Sequence, residues 1–163
     1  MRATDVVGSF EIPTSDDMHQ LGVRLGAVLT AGDLVVLDGP LGAGKTTLTR
    51  GIGESLGVRG PITSPTFVLA RTHPSCVGGA PLVHVDAYRL ASALELDDLD
   101  IDFENSVVVV EWGDGMLDGV SDSWLRITIR RRRGTDTTDL EEDEVRSVRV
   151  EAYGPRWNES GED

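Results

Sequence analysis

Cysteine occurs once in this chain, at Cys76, so no intrachain disulfide can form, which fits a reducing compartment. Lysine also occurs once. Of the 15 basic side chains all but Lys45 are arginine, and 28 acidic side chains outnumber them to give a net charge of −13. A surface that acidic repels nucleic acid over most of its area, so any RNA or DNA contact has to be local or made through a partner. Long apolar runs are missing as well. The longest aliphatic stretches, Leu34-Val35-Val36-Leu37 and Val107-Val108-Val109-Val110, fall far short of the roughly 20 residues that cross a bilayer. The opening residues lack the apolar core of a signal peptide, so neither export nor membrane attachment is expected. No internal repeat and no linker divides the 163 residues. What is present, 39% hydrophobic and 26% charged residues, suits a cytoplasmic domain with a single core.

Along the chain, residues 8–12 suggest a short edge strand. Thr14 offers a helix-capping oxygen with Asp17 three residues on. Met18, Leu21, Leu25, Val28 and Leu29 follow at helical spacing, which predicts a helix over 15–31 with Gly32 as its C-cap. A buried strand at 34–37 leads through a glycine-rich turn to a helix over 45–56, apolar at Leu48, Ile52 and Leu56 and stopped by Gly57. Strands are expected at 67–71, 82–86, 107–111, 124–130 and 145–151, with a turn at 73–81 and a short acidic helix or turn at 92–99. Residues 154–163, polar apart from Trp157, are expected to form a disordered tail behind one domain spanning 1–153. Strands alternating with helices, some of them apolar throughout, predict an α/β fold with a mostly parallel, mixed sheet flanked by helices.

Chemistry concentrates at Gly39-Pro40-Leu41-Gly42-Ala43-Gly44-Lys45-Thr46, which fits the phosphate-binding pattern G-x-x-x-x-G-K-[ST] without a mismatch. Strand, loop and helix follow in the order that pattern requires. Gly42 and Gly44 let the backbone approach phosphates closely. Consecutive N–H groups then form an anion nest at a helix N-terminus, where the helix dipole favours negative charge. Lys45 adds a compact ammonium on a flexible stem, for which the planar guanidinium of arginine is a poor substitute. In a chain that otherwise uses arginine, lysine at this position points to a specific requirement.

A nucleoside triphosphate brings Mg²⁺, which takes hard oxygen ligands. Thr46 supplies a hydroxyl, and two carboxylates close strands at the end of the sheet where ligands bind in such folds: Asp86 after Leu82-Val83-His84-Val85, and Glu111 after the four valines. The segment Thr63-Ser64-Pro65-Thr66 has the hydroxyls of a γ-phosphate sensor, and equally those of a plain turn. His73 and Cys76 are too isolated to predict a zinc site. The run Arg130 to Arg133 fits a solvated strand end better than an RNA contact, and Trp112 fits core packing better than base stacking.

A GTPase would need an Asn-Lys-x-Asp element, for which no lysine is left, and a transporter-type ATPase would need an inserted signature helix, for which there is no room. A small-molecule kinase and a compact ATPase remain, and the kinase lacks an evident arginine-bearing lid. The combination of Gly39 to Thr47, Ser64-Pro65-Thr66-Phe67, His84-Val85-Asp86-Ala87-Tyr88-Arg89-Leu90, Glu95-Leu96-Asp97-Asp98-Leu99 and Glu111-Trp112 resembles the TsaE family over about residues 10–130. That family is the ATPase component of bacterial tRNA threonylcarbamoyladenosine synthesis. The resemblance implies a P-loop fold that takes ATP and Mg²⁺ and works with a threonylcarbamoyl transferase protein pair of the TsaD and TsaB type, meeting tRNA only indirectly. It implies hydrolysis that resets this machinery between turnovers. By position, Gly39, Leu41, Gly42, Ala43, Gly44, Lys45, Thr46 and Thr47 would bind nucleotide, Thr46 and Glu111 the metal, and Thr66 would belong to the switch. Asp86 would orient or deprotonate the attacking water, although the roles of Asp86 and Glu111 are interchangeable on sequence. A kinase and a nucleotide-gated adaptor that does not hydrolyse stay open as alternatives.

Overall fold

The computed structural model describes residues 7–39, 44–60, 62, 70–86, 101–111, 123–131 and 145–158. Its elements are strand β1 (Gly8–Ile12), helix α1 (Ser15–Val28), β2 (Leu34–Asp38), helix α2 (Lys45–Leu56), β3 (Ala70–His73), β4 (Leu82–Asp86), β5 (Val107–Glu111), β6 (Trp124–Arg131), β7 (Arg146–Tyr153) and a helical turn, α3 (Pro155–Asn158). The strands form one seven-stranded sheet in the order β1-β7-β6-β2-β5-β4-β3. Pairing is parallel for β2–β5, β2–β6 and β4–β5, and antiparallel for β1–β7, β6–β7 and β3–β4. The α/β fold with a mixed sheet is therefore as expected, its parallel pairs at the centre.

Alternate side chains of the sheet serve two cores. On one face Val35, Leu37, Leu82, Val107, Val109, Leu125, Ile127, Ile129, Val148 and Val150 pack with Met18, Leu21 and Leu25 of α1 and Leu48 and Ile52 of α2. On the other, Leu34, Val83, Val85, Val108 and Val110 pack against Ile101, Phe103 and Trp124. Each fully buried Leu or Val contributes roughly 1.5–3 kcal/mol. The continuous apolar strands β2 and β5 follow from this two-sided burial.

Helix α1 starts as the sequence predicts, with the Thr14 hydroxyl oxygen accepting from the Asp17 backbone N–H at 3.1 Å, a cap worth about 1 kcal/mol. It ends three residues early. Asp33 accepts from the Thr30 N–H at 2.7 Å while its own N–H bonds back to the Thr30 carbonyl. This side-chain turn competes with the helix. Gly32, expected as the C-cap, instead lies in that turn at φ +97°, and the cap is Leu29. Helices α1 and α2 cross at glycines: a Cβ on Gly22 would overlap the Leu48 carbonyl oxygen, and one on Gly51 the His19 carbonyl oxygen. That close approach seats the N-terminus of α2 over the sheet.

Two further expectations change. The strand expected at 67–71 extends two residues further, to His73, because pairing with β4 carries it opposite Leu82; residues 63–69, where it was expected to begin, lie outside the described residues. The tail expected from 154 begins with a packed turn. Trp157 is buried, and the Arg156 guanidinium lies 4.3 Å from its ring centre. Arg156 also donates to Asp33 at 3.1 and 3.3 Å and to the Val28 carbonyl at 3.1 Å. No described helix is long and apolar enough to cross a membrane.

Candidate functional site

The site forms where β2, β5 and β4 end beside the N-terminus of α2. Gly44 caps that helix at φ +112°, ψ +16°, a left-handed conformation that favours glycine, and supplies no capping side chain. The first turn of α2 carries no acidic residue either, in contrast to Asp16 and Asp17 at the start of α1. Its backbone N–H groups and positive dipole end are therefore not taken up by side chains of that turn.

Lys45, the first residue of α2, is only 8% exposed. Its Nζ donates to the Gly39 carbonyl at 2.7 Å, across the mouth of the loop. Burial lowers its pKa from the usual 10.5, and the negative charges of Glu111, Asp38 and Asp86 oppose that shift. An ammonium drawn this far out of water calls for anionic company, and the three strand-ending carboxylates provide it. Thr46 and Thr47 follow, half-buried, in the same turn.

The carboxylates are ordered by strand register. Asp86 pairs with Glu111 across β4–β5, and Glu111 with Leu37 across β2–β5. Register partners point the same way, so Asp86 and Glu111 share the α2 face with Leu37. Glu111 is 7% exposed and Asp86 more open. The Glu111 Oε2 accepts a hydrogen bond of 2.5 Å from Nε2 of fully buried His84, a contact that is also an ion pair if the ring is protonated. Asp38 points to the opposite face, where Arg126 of β6 approaches it at 3.4 Å.

Of the residues expected from sequence, Gly39, Gly44, Lys45, Thr46, Thr47, Asp86 and Glu111 therefore gather at one end of the sheet. Leu41, Gly42, Ala43 and Thr66 lie outside the described residues, as do Trp112 and the arginines at 132–133. Arg130 is exposed at the end of β6. Sequence reasoning gave His84 no role. The signal available was an imidazole between two valines in a strand buried on both faces, a position that requires a partner.

As donors for a metal, the threonine hydroxyl and the two carboxylates are hard oxygens. Such a set suits Mg²⁺, which binds through one or two carboxylates together with substrate phosphates.

Fold and site together define a mixed α/β protein of the P-loop type. Residues 12–139 match the family model described as threonylcarbamoyl adenosine biosynthesis protein TsaE. The chain is 58% identical over 143 residues to the tRNA threonylcarbamoyladenosine biosynthesis protein TsaE of Streptomyces coelicolor, covering 86% of this chain and 93% of that relative. It is 50% identical over 139 residues to the protein of the same name from Mycobacterium tuberculosis, covering 80% and 83%. The crystal structure of YdiB from Bacillus subtilis superposes with a TM-score of 0.69 at 26% identity, over 94% of this chain and 90% of that one. The chain belongs to the TsaE family.

Proposed function

We propose that this protein is the ATP-binding and ATP-hydrolysing component of the machinery that makes N6-threonylcarbamoyladenosine in tRNA, and that its turnover is stimulated by partner proteins and resets the transferase complex. The pathway follows from the family. The carrying observation for the chemistry is Lys45, buried at the N-terminus of α2 and bonded to Gly39, with Glu111 and Asp86 acting on its charge.

In this reading the loop backbone from Gly39 to Thr47 holds the phosphates, with Lys45 against the terminal ones. Thr46 and Glu111 would hold Mg²⁺, which would supply positive charge to the phosphate oxygens. Asp86 orients a water and takes its proton as the water oxygen bonds to the γ-phosphorus. The bond from that phosphorus to the bridging oxygen breaks, and ADP leaves with the electron pair. Thr66 senses the γ-phosphate. The partners are the transferase pair of TsaD and TsaB type, in the cytoplasm. With a net charge of −13, tRNA is met through that pair.

Phosphoryl transfer depends chiefly on positioning and on positive charge, and a missing arginine costs about 10³–10⁵-fold. The only lysine is already committed to the loop, so turnover by the protein alone is slow and the pair accelerates it at least about tenfold. The test is steady-state phosphate release by the protein alone, with the pair, and with tRNA only. Fast turnover alone, or full activation by tRNA without the pair, refutes the proposal. Transfer of labelled γ-phosphate to a metabolite would mark a kinase, and binding without turnover an adaptor. In the same series, Lys45→Ala keeps the fold and loses the thermal stabilisation by ATP, about 2.7 kcal/mol at 100 times the dissociation constant. An undiminished shift would remove the loop from the site.

A further inference from the structure

We propose that His84 is a positioning residue: through Nε2 it fixes the carboxylate of Glu111 in the orientation that serves the metal–nucleotide complex. The inference rests on the reading of Glu111 as the metal-associated acid and goes beyond it by naming what holds that acid in place.

The sheet dictates the contact. Across β4–β5, His84 is opposite Val109 and Asp86 is opposite Glu111. His84 and Glu111 are therefore diagonal neighbours on one face, within reach of long side chains. On its other flank Glu111 meets Leu37, which has no donor to offer. With an aliphatic neighbour on that strand, the 7% exposed carboxylate takes a donor from the other, and His84 is that donor.

The histidine is as specialised as the contact. It is fully buried in β4 among Leu82, Val83 and Val85, where a leucine of similar volume would pack without a polar cost. Among the described residues Nδ1 has no hydrogen-bond partner, so the ring's polar engagement there is directed at Glu111 alone. A ring serving only the core would not place its one hydrogen bond on a site carboxylate. Donation from Nε2 engages Oε2 and restricts rotation of the carboxylate. The charge stays beside Lys45, on which Glu111 acts more strongly than Asp38 or Asp86 does. Partners of this kind, set behind a metal-binding side chain, typically change metal affinity by about 10–100-fold when removed.

The test is calorimetric titration of the purified protein with ADP, with Mg²⁺ and with excess chelator. His84→Leu keeps the strand packed and withdraws the donor. The Mg²⁺-dependent gain in ADP affinity should fall about 10–100-fold while metal-free ADP binding is unchanged. His84→Gln, whose amide nitrogen lies near the place of Nε2, should restore most of that gain, and His84→Leu should add no loss in a Glu111→Ala background. The proposal is overturned if His84→Leu keeps the full Mg²⁺ gain, if His84→Gln is as impaired as His84→Leu, or if the two losses add. Wild-type protein whose ADP affinity ignores Mg²⁺ would overturn the underlying metal reading too, and that failure shows before any variant is made.

Discussion

The two halves of the sheet are built on different rules. In the parallel half, β2, β5 and β4 are buried on both faces and, apart from His84 within β4, become polar only at their last residues, Asp38, Glu111 and Asp86. In the antiparallel half, β7 alternates, with buried Val148 and Val150 between exposed Arg149 and Ser147. Trp124 and Tyr153 stack there at 5.2 Å, and Arg149 stands beside Glu151 at 3.6 Å on the same face. A parallel strand covered on both sides can expose functional groups only at its end, and three neighbours ending together concentrate them. The antiparallel half spreads its polar groups along one face and concentrates none. Its contribution is to hold β2 in place and to anchor the C-terminal turn. Chemistry and anchorage are thus divided across β2, and this division can be tested on either side.

The largest effect is expected in the parallel half. Asp86→Asn should retain nucleotide binding and stability while partner-stimulated turnover falls by about 10²–10⁴-fold, because only a transition-state interaction is removed. Glu111→Ala should instead weaken Mg²⁺-dependent binding. Phosphate release combined with calorimetry checks both, and the reverse pattern would exchange the two roles.

On the anchoring side, Arg156→Ala leaves the 5% exposed Asp33 side chain without its guanidinium and uncovers the Trp157 ring. Arg156 is itself 37% exposed, so water softens the loss, to about 1–3 kcal/mol of stability. ATP affinity should not change. Denaturant unfolding and calorimetry together decide the matter, and a coupled loss of affinity would break the division.

The smallest effect concerns pH. His73, at the end of β3, is buried with Nδ1 3.2 Å from the Arg59 carbonyl. Burial lowers its pKa below the usual 6.5; the backbone contact opposes this and the charge of His84 adds to it. As pH falls from about 6.5 toward the folded value, the unfolded chain takes up the proton first, so stability is lost through that window and levels off below it. His73→Gln should flatten this acid-side decline in thermal midpoints, relative to wild type, without altering turnover at neutral pH.

The parallel half was the more legible of the two in sequence. Four consecutive valines before Glu111, and a glycine-rich loop after Leu34 to Leu37, announce strand ends and loop without reference to any distant residue. Asp86 and Glu111 could be proposed as site residues on position alone. Their exact pairing could not, because the diagonal between His84 and Glu111 depends on register across 27 residues. The misreadings have the same origin. Gly32 has the local pattern of a C-cap, but the Asp33–Thr30 turn ends α1 sooner. The turn at 155–158 escapes a local reading because the partner of Arg156 lies 123 residues earlier, beyond the reach of any local pattern.

The strand order has a consequence for how the chain comes together. Strand β1 pairs only with β7 among the described strands, Ile12 opposite Arg146. During synthesis the first strand must therefore wait for nearly the whole chain to emerge, a delay on the order of ten seconds at roughly 5–20 residues per second. Strands β2, β4 and β5 and both long helices all precede residue 112, so the pairings of the half that carries the site can form while the other half is still being made. Until β6 arrives, β2 is an uncovered apolar edge, the kind of surface that invites misassembly. Closure of the sheet is then a late, long-range event, and such non-local pairings are what make folding slow.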